Sequence, residues 1–241
     1  MRKNNKGGTV MKILGHRGYA EKFTENTLES FAKAIKYGAD GIELDVYYTK
    51  DGEVVVTHDE DLKRVFNINL NVKKCNIKSI KEKADVPTLN EVFEIIPKDK
   101  VINVEIKDFE NAEDIVKYVI KENRKQEIIF SSFEHEVIKE LSSIYKSEKF
   151  GLLFDERHKD LTFDDIKKLF TETNIYSAHI PIDLYYIDKE KFLYLTNFLR
   201  SIEKKVVIWT VNKIEEIEFL RKLADYVITD CVETIVNYLK K

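Results

Sequence analysis

Proline, glycine, cysteine and tryptophan are all scarce: 3, 8, 2 and 1 among 241 residues. So little proline and glycine excludes a collagen-like or low-complexity chain. Cys75 and Cys231 lie far apart and match no metal or redox spacing, so two free thiols in a reducing compartment are expected, with a single disulfide as the alternative. No run approaches the roughly 18 apolar residues of a membrane span, and the N-terminus lacks the apolar core of a signal peptide. A cytoplasmic protein without a stable membrane anchor is therefore expected. Neither sign of charge dominates: 40 Lys+Arg stand against 43 Asp+Glu, a formal net charge of -3. That balance provides no general basic field for nucleic acid, so any phosphate recognition must be local.

What is present is a hydrophobic content of 43% in a length that suits one sizeable core. Residues 1–10, "MRKNNKGGTV", are polar and basic and read as a leader, tag or loose tail, leaving 11–241 as a single domain. From Met11 onward, short β-branched runs alternate with segments of helical period. Eight runs read as strands: "KILGH", "GIELDV", "VINVEI", "EIIFSS", "KFGLLF", "IYSAHI", "KVVIWTV" and "DYVITD". Eight βα units in roughly 250 residues predict a TIM (β/α)8 barrel. The other parallel architecture, a doubly wound open sheet, lacks a GxGxxG or P-loop glycine pattern to support it. The alternation breaks once, after the second strand. There "YYTKDGEVVVTHDEDL" reads as a hairpin turning at Asp51-Gly52, and a polar stretch follows before Pro87 marks a helix entry.

Barrel active sites sit at the C-terminal ends of the strands. Glu43 and Asp45 in "GIELDV" are two apart, so a strand points both carboxylates to one face, and Glu105 and Lys107 repeat the geometry in "VINVEIK". Three carboxylates in a low-dielectric mouth need protons, cationic partners or a metal. All-oxygen ligands favour a hard divalent cation, Mg2+ or Ca2+. Arg17 and Lys107 would then favour an anion, Arg as a bidentate clamp and Lys as a point charge. His16 ends the first strand and His58 ends the hairpin. One imidazole at a strand end is ordinarily a satisfied polar residue. Two facing one metal-bound anion can divide proton transfer between the nucleophile and the leaving group, as phosphodiester cleavage requires.

These residues carry a resemblance to the glycerophosphodiester phosphodiesterase family, in "HRG", "ENTLESF", "GADGIELDVYYTKDGEVVVTHDEDLKR", "PTLNEVF", "VEIK", "VVIWTVN" and "DYVITD". The resemblance covers nearly the whole chain from Met11. It implies a TIM barrel, His16 and His58 as general acid and base, Glu43, Asp45 and Glu105 as metal ligands, and Arg17 and Lys107 at the phosphate. Thr24 stands where the family usually has proline before "ENT", and the closing "TDCVE" lacks a common proline; neither change removes a functional group.

Phe133 and Trp209 are expected to line the substrate side of the mouth, and Tyr19 its rim. His179 is expected to make a structural hydrogen bond, and His135 and His158 to be solvated. The implied activity is hydrolysis of small glycerophosphodiesters, such as glycerophosphocholine or glycerophosphoethanolamine, to sn-glycerol 3-phosphate and an alcohol. Its rivals are a lysophospholipase D, for which the tyrosines of "DLYYID" could form an apolar collar, and a non-catalytic phosphoester-binding barrel. The sequence leaves room for a homodimer, and it does not decide which histidine is the acid.

Overall fold

The computed structural model describes residues 10–122 and 125–240; the leader, except Val10, lies outside them. Among the described residues nine strands occur in chain order: β1 Lys12–Gly15, β2 Gly41–Tyr48, β3 Val54–Val56, β4 Val101–Ile106, β5 Glu127–Ser132, β6 Phe150–Leu153, β7 Ser177–Pro181, β8 Lys205–Trp209 and β9 Tyr226–Thr229. All except β3 are parallel to their neighbours, and β1 pairs with both β9 and β2, which closes an eight-stranded parallel barrel. The expected fold is therefore the one observed. No helix among the described residues is long and apolar enough to cross a membrane, and Cys75 and Cys231 are free.

Strand parity creates two cores. Ile42, Leu44 and Val46 of β2 and Ile102, Val104 and Ile106 of β4 join the main core between strands and helices. The alternate positions turn inward, where Leu14, Val101, Ile129, Val207 and Ile228 fill the barrel. Above them His179 is fully buried and bonds Ser177 Oγ at 3.0 Å, as its structural reading expected. Burial depresses its pKa to about 3. Gly151 makes room for this ring, because a Cβ there would overlap His179 Nε2.

The helices cover the outside through amphipathic spacing. In Leu28–Lys36, Phe31 and Ala34 are buried, and a capping box between Thr27 and Ser30 fixes the start. The helix Leu89–Ile95 has its own box between Thr88 and Glu91. Pro87 thus precedes the N-cap instead of occupying the first turn.

The expected hairpin pairs Val46 with Val56 and Tyr48 with Val54, turning where Gly52 adopts φ +87°. The stretch after it, polar in composition, still builds a small core: Val55, Leu62, Leu70, Val72, Ile80, Ala84 and Val86 pack together. Scattered single apolar residues converge there, a pattern that no fixed period reveals.

Three peripheral expectations are corrected. Tyr19 is fully buried, with ring centroids 5.6 Å from Phe23 and 5.3 Å from Tyr37, because the turn after β1 folds it back under the first helix. His135 and His158 are not solvated but stacked at 4.0 Å, both half-buried. His135 Nε2 bonds Leu153 O at 2.7 Å, and burial pushes its pKa down to about 4.

Candidate active site

Register explains why distant parts of the chain meet at the C-terminal end of the barrel. Gly15 pairs with Thr229 and with Ile42, so His16, one residue on, falls beside Asp230 and Glu43. Asp45 pairs with Glu105 and Glu43 with Asn103, placing the inward carboxylates on neighbouring strands. Glu43, Asp45 and Glu105 each offer an oxygen within 4.8 Å of the others. They are 2%, 1% and 8% exposed, a degree of burial that forbids treating them as solvated surface charges.

The turn after β1 supplies the next groups. Arg17 adopts φ +50° and Gly18 φ +88°. The left-handed region is strained for arginine, and at Gly18 a Cβ would overlap Ser30 Oγ. This double left-handed turn aims the Arg17 backbone N–H at Glu43 Oε2, 2.9 Å away. It also brings the guanidinium to Asp45, with Nε 3.4 Å from Oδ2, and to Glu25 Oε1 at 2.9 Å. The first helix locks the turn: Ser30 Oγ donates to Arg17 O at 2.9 Å. Asn26, itself left-handed at φ +55°, donates from Nδ2 to Asp45 Oδ2 at 2.9 Å.

On the far side of the carboxylates, Lys107 Nζ lies 2.5 Å from Glu105 Oε1 and 3.3 Å from Asp45 Oδ1. Two cations against three carboxylates leave a surplus of negative charge, and its effects differ by residue. Burial raises the Glu43 carboxyl to about 8, reinforced by Asp45. Burial would raise Asp45 too, but Lys107 and Arg17 outweigh it and hold the group below its usual range. Glu105 is pushed up by burial despite Lys107. Glu43 Oε1 is buried with no hydrogen-bond partner. A partnerless carboxylate oxygen beside two other oxygen donors is the donor set that a hard divalent cation takes. The three residues therefore fit a metal site.

The two histidines have matching supports. His16 Nδ1 lies 2.7 Å from Asp230 Oδ1, and His58 Nδ1 lies 2.7 Å from Asp59 Oδ1. A carboxylate facing Nδ1 accepts a hydrogen bond from Nδ1–H, which keeps the proton on that nitrogen and leaves Nε2 as the free one. His16 Nε2 is 4.0 Å from Glu43 Oε2. Burial works against the His16 cation, yet the Asp230 bond and the Glu43 charge prevail and raise its pKa. Burial lowers that of His58, with Lys107 and Arg17 adding to the effect against Asp45 and Asp59.

Phe133 and Trp209 meet edge to face at 5.8 Å, although they follow β5 and end β8. Lys107 Nζ lies 5.7 Å from the Phe133 ring centroid and the Arg157 guanidinium 4.6 Å from it. All nine residues expected at the site, His16, Arg17, Glu43, Asp45, His58, Glu105, Lys107, Phe133 and Trp209, thus belong to one connected cluster. Sequence reasoning missed Asn26, Asp59, Asp230 and Glu25 as its supports. Each stands inside or beside a quoted motif, "ENT", "THD" or "VITD", which was the available signal.

Comparison with known proteins identifies the family. Residues 16–234 match the glycerophosphoryl diester phosphodiesterase family. A glycerophosphodiester phosphodiesterase of Caldanaerobacter subterraneus is 34% identical, across 95% of this chain and 98% of that protein. The crystal structure of a glycerophosphodiester phosphodiesterase from Thermotoga maritima, 38% identical, superposes with a TM-score of 0.84 over 94% of this chain and 97% of the other. Human lysophospholipase D is 34% identical over 149 residues, 54% of this chain and 47% of that protein. The chain therefore belongs to the glycerophosphoryl diester phosphodiesterase family, and is a phosphoric diester hydrolase rather than a non-catalytic phosphoester-binding barrel.

Proposed function

We propose that the protein hydrolyses small glycerophosphodiesters, such as glycerophosphocholine or glycerophosphoethanolamine, to sn-glycerol 3-phosphate and an alcohol. In this reading His16 and His58 are the catalytic acid and base, and Glu43, Asp45 and Glu105 hold Mg2+ or Ca2+. The observation that carries it is the pair of imidazoles, each fixed through Nδ1 by its own aspartate, set about a buried carboxylate cluster flanked by Arg17 and Lys107.

Arg17 and Lys107 bind the phosphoryl oxygens, where they offset charge developing in the transition state. Bound divalent cation would supply further neutralisation of those oxygens and make the nucleophilic hydroxyl more acidic. The nucleophile is either water or a neighbouring hydroxyl of the substrate; in the second case expulsion of the alcohol leaves a cyclic phosphate, which water then opens to sn-glycerol 3-phosphate. One histidine accepts its proton at Nε2 while the other donates a proton to the departing alkoxide. Asp59 and Asp230 keep both Nε2 atoms available by holding the Nδ1 protons. Phe133 and Trp209 give the substrate's carbon skeleton an apolar wall.

The test is release of sn-glycerol 3-phosphate from both diesters by chelator-treated protein, before and after Mg2+ or Ca2+ is restored. Turnover that returns with the ion supports the reading, and turnover unaffected by chelation removes the metal from it. His16→Ala and His58→Ala should each lose about two or more orders of magnitude in kcat with the fold intact; wild-type turnover in either would remove that histidine's role.

A lysophospholipid substrate is the second reading, favoured by the likeness to human lysophospholipase D and by Tyr186 and Ile187. These are 56% and 80% exposed on the short helix after β7. Only Tyr186 of the two tyrosines is available as a collar, since Tyr185 stacks on Phe219 at 4.2 Å. Faster release of alcohol from a lysophospholipid than from its deacylated diester would decide for this reading.

A further inference from the structure

The helix Lys63–Phe66, four residues within the insertion, buries none of its own side chains. Its Arg64 nevertheless commits all three faces of its guanidinium. Nε donates to Asp59 Oδ2 at 2.6 Å, Nη1 to Glu25 Oε2 at 3.0 Å and Nη2 to Glu25 Oε1 at 2.6 Å. Each acceptor has a second partner in the candidate site. Asp59 Oδ1 faces His58 Nδ1 at 2.7 Å, and Glu25 Oε1 takes Arg17 Nη1 at 2.9 Å. Arg64 is thus the shared partner of two carboxylates that come from separate segments, one behind each proposed functional group. Arg64 is half exposed, its side chain retaining 48% of its accessible surface.

We infer that Arg64 is a positioning residue, which orients His58 through Asp59 and Arg17 through Glu25 without touching substrate. Occupying Asp59 Oδ2 fixes the plane of that carboxylate, so that Oδ1 alone remains for the Nδ1 proton of His58. Ring orientation and tautomer follow from that plane. Gripping Glu25 with two parallel bonds does the same for the carboxylate that holds Arg17. The insertion and the turn after β1 are thereby held in one frame. The inference rests on the roles proposed for His58 and Arg17.

An ordinary surface ion pair makes a different forecast. Exposed pairs contribute little to stability and nothing to geometry at a distance. A displaced catalytic group costs far more in rate, on the order of 10²-fold for a misplacement of about 1 Å.

The experiment compares Arg64→Ala and Arg64→Lys with the wild type on whichever diester the wild type hydrolyses. Arg64→Ala should lower kcat by about 10- to 100-fold while Tm changes by no more than about 2–4 °C. Arg64→Lys keeps the charge, loses the fork, and should remain impaired. Guanidinium chloride at millimolar concentration should restore part of the Arg64→Ala rate. In the Asp59→Asn background, Arg64→Ala should cost less than it does alone, because one of its two routes is already cut. Independently of turnover, long-range 1H–15N spectra of chelated protein should show a single Nδ1–H tautomer for His58 in the wild type and a mixture in Arg64→Ala.

Wild-type kcat and an unchanged His58 tautomer in both variants would overturn the inference, as would fully additive losses with Asp59→Asn. If Arg64→Ala fails to fold, Arg64→Lys carries the same readings. A wild type inactive on every diester would count against the proposed function, while the tautomer spectra would still decide what Arg64 does to His58.

Discussion

Both ends of this barrel contain buried or half-buried charge, but they treat it in opposite ways. At the N-terminal end, Lys12 and Glu127 begin β1 and β5 and meet across the barrel at 2.9 Å; Lys149 Nζ reaches the other Glu127 oxygen at 2.6 Å. Tyr226 OH adds a bond to Glu127 at 3.3 Å and is itself bonded by Tyr176. One carboxylate thus receives two cations and a hydroxyl, and those cations depress its pKa against the effect of burial. At the C-terminal end three carboxylates share two cations, and Glu43 Oε1 has no hydrogen-bond partner. The lower cluster is satisfied by the chain. The upper one keeps a buried carboxylate oxygen that the chain leaves without a hydrogen-bond partner, the pattern on which its proposed role as a metal and phosphate site rests.

Neutralising one carboxylate at each end should break this contrast most visibly. Under the proposed roles, Glu43→Gln removes a metal ligand and should lower kcat by about three orders of magnitude or more, since charge neutralisation at the phosphoryl group is worth several kcal/mol. In thermal melts the wild type should gain stability from Mg2+ or Ca2+, by about 2.7 kcal/mol at 100 times the dissociation constant. Glu43→Gln should lose most of that gain. Its stability without the ion should equal or exceed that of the wild type, because glutamine stays neutral in the buried site without a proton, whereas the Glu43 carboxyl is held protonated there well above its ordinary 4.5. A variant that keeps both the rate and the cation response would show that the upper cluster binds no metal.

Glu127→Gln should do the reverse. It leaves Lys12 and Lys149 facing one another without their shared partner, while no atom of the upper site changes. All three side chains are 28–39% exposed, so the loss is that of a partly screened pair, about 1 kcal/mol, or roughly 2–4 °C in Tm for a chain of this size. The kcat should remain at the wild-type value. A large loss of activity would mean that the two ends are coupled through the barrel interior.

The same contrast marks what the sequence made legible. Inward pairs such as Glu43 with Asp45 and Glu105 with Lys107 are visible because a strand repeats every two residues, and the strand ends place them in the mouth. The β2–β4 register that sets Asp45 beside Glu105 is a property of the closed barrel, and so is the meeting of His16 with Asp230, 214 residues apart. Supports such as Glu25, Asp59 and Arg64 look like ordinary surface charges along the chain, since only the folded insertion brings them together. Tyr19 was misplaced for a related reason: the left-handed turn at Arg17 and Gly18 reverses the chain. The lower cluster has no signature at all, as Lys12, Glu127 and Lys149 are single charges at strand starts.

The smallest expected effect is also the one that separates the two ends by sign. The folded-state pKa of Glu43 lies at about 8, above its ordinary 4.5, chiefly through burial. Between those values the folded state binds more protons than the unfolded state. The stability of chelated protein should therefore fall as pH rises from about 5 to 8. Glu127 is depressed below its ordinary value by Lys149 and Lys12, although burial opposes them. Its contribution is present above the unfolded pKa and is lost as pH falls through the folded one, so that stability rises with pH on the acid side. Melting curves of the wild type, Glu43→Gln and Glu127→Gln with chelator should assign the two limbs. Glu43→Gln should flatten the limb from pH 5 to 8, and Glu127→Gln the limb below about 4.5. If the neutral limb stays steep in Glu43→Gln, its source is another group, and the charge strain assigned to the mouth does not reside on Glu43. If both limbs respond as expected, the barrel stores unfavourable charge at the end proposed to bind substrate and favourable charge at the opposite end.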